Sequence, residues 1–220
     1  MDIKKGLGTV IFDCDGVLFD SRQANINFYN HILARFNLPS MKDEDIGFVH
    51  MGTADESIRH IFRGTPYLEE AQKYRKEMDY TPFIADMIME PGLKELLGRL
   101  RPRYGLAVAT NRSNTIGYVL ESTGLKEFFD IVVSSLDVDN PKPHPESIYK
   151  ILRFFDLRPD QAVYVGDSLI DYETARAAGL YFVSYRNREL DTPFKAENMM
   201  EIEGILNSIE NLGGLTSDRN

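Results

Sequence analysis

Val10-Ile11-Phe12-Asp13-Cys14-Asp15-Gly16 is a short apolar run that ends abruptly in two carboxylates one residue apart. The apolar part, from Thr9 to Phe12, predicts a buried strand. Alternate side chains of an extended chain point to the same side, so Asp13 and Asp15 are expected to project together from the end of that strand. Two carboxylates held so close repel each other unless a cation or a proton intervenes. The stretch therefore predicts a divalent-metal site.

Four more apolar runs indicate strands, and stretches with helical periodicity separate them. We expect these strands at residues 105–110, 131–135, 162–167 and 181–184. Strands that alternate with helices form a parallel sheet covered on both faces. The predicted fold class is therefore α/β, a Rossmann-like parallel sheet with helices on both faces. A last helix is expected at residues 201–212, followed by a loose tail at 213–220.

The region after the first strand has a different character. Phe28, Ile32 and Phe36 recur at four-residue spacing, which is one face of a helix, and further helices are expected at residues 69–78 and 82–89. No strand is expected there, so the region predicts an inserted helical bundle. We predict a core domain of residues 1–18 and 88–220 and an inserted helical cap domain of residues 19–87.

Polar groups suited to phosphate or metal follow the other predicted strands. Thr110 and Asn111 end one strand, and Asp167 ends another, with Asp171 four residues later. Ligands of open parallel sheets bind beyond the carboxyl ends of the strands, where these groups should meet. Lys142 lies between prolines that restrict its backbone, so it is a rigidly placed cation. The set suits phosphoryl transfer, with a carboxylate as nucleophile and an oxygen-ligated Mg²⁺.

Composition limits the classes of partner. The 220 residues carry a formal net charge of -9, which argues against nucleic acid and anionic membranes but leaves a small anionic substrate open. Cys14 is the single cysteine, so no intramolecular disulfide is possible. No signal peptide or membrane-spanning run is recognisable. We expect a cytoplasmic protein that binds a small phosphorylated metabolite, not nucleic acid or a membrane, as a monomer or a homodimer.

A calcium loop is the main alternative for the paired aspartates. An EF-hand loop needs an oxygen ligand at its fifth position and glycine at its sixth. Counted from Asp13, those positions hold Val17 and Leu18. The pattern therefore disfavours a calcium loop.

The polar groups also resemble a known family. Asp13-Cys-Asp15-Gly-Val-Leu, Thr110-Asn111, Lys142 and Gly166-Asp167-Ser-Leu-Ile-Asp171 are similar to the four ordered motifs of the haloacid dehalogenase superfamily. The helical insertion after the first motif resembles the C1-type cap of the branch that holds phosphoglycolate phosphatase and β-phosphoglucomutase. The resemblance extends over nearly the whole chain.

The resemblance implies roles for three aspartates. Asp13 would be the nucleophile and a Mg²⁺ ligand. Asp15 would be the general acid and base, with its main-chain carbonyl on the metal. Asp167 would be the second carboxylate ligand. An acid at the position of Asp15 favours phosphoryl transfer over dehalogenation.

The resemblance also implies how the phosphoryl group is held. The Thr110 side chain would hydrogen-bond it, with help from the Asn111 backbone. Lys142 would bind the phosphoryl oxygens and offset the charge of Asp13. Asp171 would support the site, by lying near a metal-bound water or by holding Lys142.

The implied function is a Mg²⁺-dependent phosphatase that hydrolyses a small phosphomonoester through an aspartyl-phosphate, in the manner of phosphoglycolate phosphatase. One alternative is a sugar phosphomutase like β-phosphoglucomutase, and another is a non-catalytic phosphate-sensing module. The substrate stays open among phosphoglycolate, pyrophosphate, sugar phosphates and nucleoside monophosphates.

Overall fold

The computed structural model describes residues 6–216 of the chain, and side chains up to residue 212. Its strands are β1 (Thr9–Phe12), β2 (Phe19–Asp20), β3 (Ile88–Met89), β4 (Gly105–Ala109), β5 (Ile131–Val133), β6 (Ala162–Gly166), β7 (Tyr181–Tyr185) and β8 (Phe194–Ala196). Its α-helices are α1 (Arg22–Arg35), α2 (Asp43–Met51), α3 (Ala54–Ile61), α4 (Leu68–Glu77), α5 (Thr81–Ile84), α6 (Leu93–Leu100), α7 (Ile116–Ser122), α8 (Glu146–Phe155), α9 (Leu169–Ala178) and α10 (Met199–Thr216).

Six strands form one parallel sheet in the order β5-β4-β1-β6-β7-β8. β1 lies in the middle and pairs on both sides, with Phe12 opposite Val108 of β4 and Val165 of β6. The strand order reverses direction at β1, and such a switch point opens a crevice at the carboxyl ends of the strands. The predicted fold class, a Rossmann-like parallel sheet with helices on both faces, is confirmed.

Both faces of the sheet are buried, as the unbroken apolar runs of its strands require. Val10 and Phe12 of β1 point into a core that also contains apolar residues of α6, α7 and α10. Ile11 points to the opposite face, where α8 and α9 close a second core. Because its side chains alternate, β1 contributes residues to both cores.

The helical insertion leaves and rejoins the sheet domain at adjacent points. β2 and β3 pair antiparallel, with Phe19 opposite Met89 and Asp20 opposite Ile88. The chain segment that connects these two strands contains α1 to α5. An aromatic cluster forms its centre, where the Phe28 ring lies 5.2 Å from Tyr80 and 5.4 Å from Phe83. The division into core and cap at residues 18/19 and 87/88 stays a prediction.

The insertion was expected to contain no strand, but β2 (Phe19–Asp20) lies within the predicted range 19–87, and its two residues are too few to show alternation. Three further local expectations are wrong. The helix expected at residues 82–89 ends at Ile84 and is followed by β3, a two-residue strand too short to show alternation. β8 was not expected because its three residues include an exposed lysine, Lys195. The last helix continues to Thr216 instead of ending at 212, since extending a formed helix is easier than starting one. The rest of the expected tail, 217–220, lies outside the described residues.

No helix within residues 6–216 combines the length and the apolar character needed to cross a membrane.

Two glycines offer a matched test of this packing. A Cβ atom on Gly105, at the start of β4, would lie 2.4 Å from Cε1 of the Phe155 ring, whereas one on Gly98 of α6 would meet nothing within 4 Å. We expect Gly105→Ala to lower the free energy of unfolding by about 1–3 kcal/mol through overpacking. Gly98→Ala should raise it by about 0.5–1 kcal/mol, because alanine favours the helix. Urea unfolding of both variants measures this, and a Gly105→Ala variant as stable as the parent would contradict the close contact.

Candidate active site

The carboxyl ends of β1, β4 and β6 open into a cleft, which residues of the insertion also line. The structure places the predicted site side chains around it, with one exception: Asp171 lies fully buried behind the cleft wall. The side chains that line the cleft are Asp13, Asp15, Thr110, Asn111, Lys142 and Asp167. Residues from four different parts of the sequence therefore meet at the switch point of the sheet.

Lys142 is the centre of a buried ionic cluster. Its Nζ donates to Asp13 Oδ1 at 2.8 Å and to Asp171 Oδ1 at 2.7 Å, and it lies 2.9 Å from the Tyr164 hydroxyl. Burial disfavours the charged ammonium, but the two carboxylates outweigh this and raise the pKa of Lys142 above its usual value. The lysine therefore stays charged, although its side chain is only 4% exposed.

Asp171 is held by the first turn of α9. Its Oδ2 accepts from the backbone N–H of Ser168 at 3.1 Å and from the Ser168 hydroxyl at 2.6 Å, which is a capping box. Its Oδ1 accepts from Lys142 and lies 2.8 Å from the Tyr164 hydroxyl. Burial opposes ionisation, but Lys142 and these hydrogen bonds lower the pKa of Asp171. Both of its oxygens are thus occupied, and the side chain supports Lys142.

Asn111 uses its side chain to hold the Lys142 loop. Its Oδ1 accepts from the backbone N–H of Lys142 at 3.1 Å, and its Nδ2 donates to the Lys142 carbonyl at 3.1 Å and to the Met51 carbonyl at 3.2 Å. The resemblance suggested a role for the Asn111 backbone alone. The side chain adds a link from the end of β4 to the lysine and to the last residue of α2.

Asp13 and Asp167 form a pair of carboxylates with too little positive charge beside them. Burial and the neighbouring charge of Asp171 raise the pKa of Asp13 to about 7, against the opposing effect of Lys142. Burial, with the charges of Asp171 and Asp13, raises the pKa of Asp167 to about 8. Within residues 6–216, the carboxylate of Asp167 accepts no side-chain hydrogen bond that would offset this.

This carboxylate pair fits a hard divalent cation. One oxygen each from Asp13, Asp167 and Asp171 lie within 4.8 Å of one another, and the first two are the ones available to a metal. Gly16 leaves room for the Asp167 carboxylate, since a Cβ there would lie 2.1 Å from Asp167 Oδ2. Mg²⁺ prefers such oxygen ligands and keeps several waters. The residues present therefore suit Mg²⁺.

Asp15 is held in a different way, by Arg112. The guanidinium grips both carboxylate oxygens, with Nε 3.1 Å from Oδ2 and Nη2 on Oδ1, and the Ser21 hydroxyl also donates to Oδ1. Burial would raise the pKa of Asp15, but the charge and hydrogen bonds of Arg112 overcome this and lower it to about 2. In this structure Asp15 is an ionised carboxylate turned toward Arg112.

Sequence reasoning missed Arg112, Ser21 and Tyr164. Arg112 directly follows Thr110-Asn111, so a basic residue at the catalytic edge was the signal that could have found it. Tyr164 stands in an otherwise aliphatic, fully buried strand, and a buried tyrosine hydroxyl needs a partner. Ser21 gave no signal, because only the fold brings its hydroxyl to Asp15.

The far wall of the cleft comes from the insertion. Tyr29 and Asn25 of α1, His50 of α2 and Arg75 of α4 line it together with Tyr80. The Arg75 side chain is 5% exposed and pairs with Asp55. The insertion thus faces the strand ends with polar and cationic groups.

Comparison with known proteins agrees with this arrangement. A family model described as haloacid dehalogenase-like hydrolase matches residues 10–185. The chain belongs to this family. The predicted resemblance is confirmed, and so are the predictions that the chain is an enzyme and a hydrolase.

Relatives and solved structures add detail. The chain is 29% identical over 175 residues to the pyrophosphatase PpaX of Bacillus cereus, a match that covers 79% of this chain and 80% of PpaX. A haloacid dehalogenase-superfamily hydrolase of subfamily IA, variant 1, from Geobacter sulfurreducens is 37% identical, with a TM-score of 0.81 over 91% of this chain and all of that one (100%). β-Phosphoglucomutase from Clostridium difficile shares the fold, with a TM-score of 0.79 over 93% of this chain and 97% of its own at 17% identity.

The pKa shifts of Asp13 and Asp167 lead to a test of metal binding. Both values, about 7 and about 8, exceed the unfolded value of 3.8, so without metal their contribution to stability is present below about pH 4 and is lost as the pH rises through 7 and 8. Mg²⁺ would bind the ionised pair, so we expect it to raise the midpoint of thermal unfolding more at about pH 8.5 than at about pH 5.5.

Scans in EDTA and in MgCl₂ at both pH values measure this difference. Asp167→Asn should abolish the Mg²⁺-dependent shift, whereas Asp160→Asn, a change at an exposed aspartate that pairs with Arg158, should keep it. An equal Mg²⁺ effect at both pH values would contradict the assignment of the metal to this pair.

Proposed function

We propose that this protein is a Mg²⁺-dependent phosphatase that hydrolyses a small phosphomonoester through an aspartyl-phosphate. One observation carries the proposal: the buried Asp13 carboxylate accepts from the Lys142 ammonium at 2.8 Å and has an oxygen within 4.8 Å of an Asp167 carboxylate oxygen. The contact supports a site in which Asp13 is the nucleophile, Lys142 the cation for phosphoryl oxygens and Asp167 the metal-binding carboxylate.

In the first step, an Asp13 carboxylate oxygen attacks phosphorus and the bond from phosphorus to the leaving-group oxygen breaks. Asp15 turns away from Arg112, takes up a proton from solvent and gives it to that departing oxygen, so the leaving group departs as an alcohol. Lys142 neutralises charge that develops on the phosphoryl oxygens. The Thr110 side chain and the Asn111 backbone, from residues that line the cleft, would orient the phosphoryl group.

In the second step, water attacks the phosphorus of the aspartyl-phosphate. Asp15 takes the proton from this water, and the bond from phosphorus to the Asp13 oxygen breaks. Inorganic phosphate leaves, and Asp13 returns to its carboxylate form. Two aspartates one residue apart thus divide nucleophilic and proton-transfer work between them.

Asp13, Asp167 and the main-chain carbonyl of Asp15 would hold Mg²⁺, which would bind a phosphoryl oxygen and stabilise the charge of the transferring group. Asp171 would not be a ligand, because Lys142, Tyr164 and Ser168 already occupy its oxygens. Its role is to position Lys142.

The cleft is lined both by the strand ends and by the insertion, which supports a small substrate held between them. The relationship to PpaX, named as a pyrophosphatase, supports phosphate chemistry on a small molecule. We place a phosphoglycolate-like ester first among substrates. Residues 19–87 would act as the cap that covers it and excludes bulk water.

Hydrolysis of an aryl phosphate tests the reaction class. We expect turnover with Mg²⁺ and none in EDTA. Asp13→Asn should lower kcat by about 10⁴-fold or more, because the nucleophile is lost. The control Asp160→Asn, the same change at an exposed aspartate, should be fully active. A folded protein without activity at any Mg²⁺ concentration would contradict the proposal and leave the phosphate-sensing alternative.

Product analysis separates the phosphatase from the mutase. With β-glucose 1-phosphate, a phosphatase releases inorganic phosphate and glucose, whereas a mutase returns an isomerised sugar phosphate. An isomerised sugar phosphate without release of inorganic phosphate would contradict the phosphatase and support the mutase.

A further inference from the structure

The ion pair between Asp15 and Arg112 conflicts with the work proposed for Asp15. Both carboxylate oxygens accept from the guanidinium, and one also accepts from the Ser21 hydroxyl. To reach a leaving-group oxygen beside Asp13, the carboxylate has to turn away from at least one of these donors. The pair seen here is thus a resting arrangement that a substrate must open.

Opening the pair leaves Arg112 without a counter-charge. Its side chain is 6% exposed, and within residues 6–216 Asp15 is its single carboxylate partner. Its other partners are neutral: the Tyr80 hydroxyl at 2.7 Å, Thr115 Oγ1 at 3.3 Å and Asn25 Oδ1 at 3.4 Å. A buried guanidinium with only neutral partners is strongly unfavourable. Another anion has to replace Asp15.

We propose that the substrate supplies this anion. Arg112 is then a specificity-determining residue, which binds a second anionic group on the leaving group and thereby releases Asp15. The inference rests on the proposed phosphatase function and narrows its substrate class. The substrate is a short phosphate ester or anhydride whose leaving group carries a carboxylate or a phosphate.

Arg112 fits this role better than the other cations of the cleft. Lys142 is already bound by Asp13 and Asp171 at the phosphoryl end. Arg75 keeps its own partner, Asp55, outside the reacting groups. Arg112 lines the cleft and presents a planar fork that matches the two oxygens of a carboxylate or phosphate.

A pair of esters that differ in one charge tests the proposal. 2-Phosphoglycolate carries a carboxylate, whereas 2-hydroxyethyl phosphate carries a neutral hydroxyl at the corresponding position. We expect kcat/KM of the parent protein to be roughly ten- to hundredfold higher for 2-phosphoglycolate than for 2-hydroxyethyl phosphate, because hydrogen bonds to a charged group contribute about this factor. Arg112→Gln should reduce this ratio to about one, chiefly through loss on 2-phosphoglycolate.

Two further variants make the result interpretable. Arg112→Lys keeps the charge but not the fork, so its ratio should lie between those of the parent and Arg112→Gln. Should Arg112→Gln fail to fold, a parental ratio in Arg112→Lys would overturn the proposal. Arg101→Gln, at an arginine that pairs with Asp130 outside the cleft, should leave the ratio unchanged.

A merely structural role for Arg112 predicts a different outcome. Arg112→Gln would then slow both esters by the same factor and leave their ratio as in the parent, which would overturn the proposal. A parent protein with no preference between the esters would overturn it as well.

A binding measurement separates this inference from the phosphatase proposal. Both esters are titrated by calorimetry into Asp13→Asn, with and without Arg112→Gln. We expect Asp13→Asn to bind 2-phosphoglycolate more tightly than 2-hydroxyethyl phosphate, and we expect Arg112→Gln to remove this difference in Kd. Aryl phosphate turnover with equal binding of the two esters would refute the role of Arg112 alone. Absence of all turnover with a preference that depends on Arg112 would refute the phosphatase and keep the anion site.

Discussion

The ammonium of Lys142, buried between Asp13 and Asp171, is the interaction on which the site depends. Breaking a buried ion pair by removing one partner costs about 3–5 kcal/mol, because the remaining charge stays buried. The chain meets this constraint by holding both ends of the lysine. Asn111 binds its backbone, and the capping box of α9 fixes Asp171. The strand ends, the lysine loop and α9 are thereby joined into one rigid unit.

The paired aspartates illustrate how position along a strand separates chemical roles. Asp13 lies among other carboxylates, and its pKa is raised to about 7, whereas Asp15 lies against Arg112, and its pKa is lowered to about 2. Two residues of the same type, two positions apart, thus have opposite environments. The first would gain from a metal ion, which would supply the missing positive charge. The second already has a counter-charge and has to leave it before it can act.

The sequence predicts the sheet and the residues at its strand ends because both follow from local patterns. Apolar runs mark the strands, and the residue after each run marks the site, which is how Asp13, Thr110 and Asp167 are found. Residues that join the site through long-range contacts do not follow this pattern and give a weaker signal or none. Tyr164 lies within a strand that is buried throughout, so it is read as a core residue. Arg112 binds Asp15, which is 97 positions away in the sequence. Short strands such as β3 and β8 cannot be predicted from the sequence, because two or three residues show no periodicity.

Arg112 also lies where the two predicted domains meet. Its backbone follows β4 of the sheet, its guanidinium binds Asp15 after β1, and its Nη1 donates to the Tyr80 hydroxyl beside α5 of the insertion. In the proposed function, the groups at the strand ends bind the phosphoryl moiety, which every substrate of this chemistry shares. The rest of the substrate must therefore be recognised by the insertion and by residues that face it. Arg112 contacts both the strand ends and the insertion, and its donors cannot bind two anions at once. Binding of an anionic leaving group to Arg112 would therefore release Asp15.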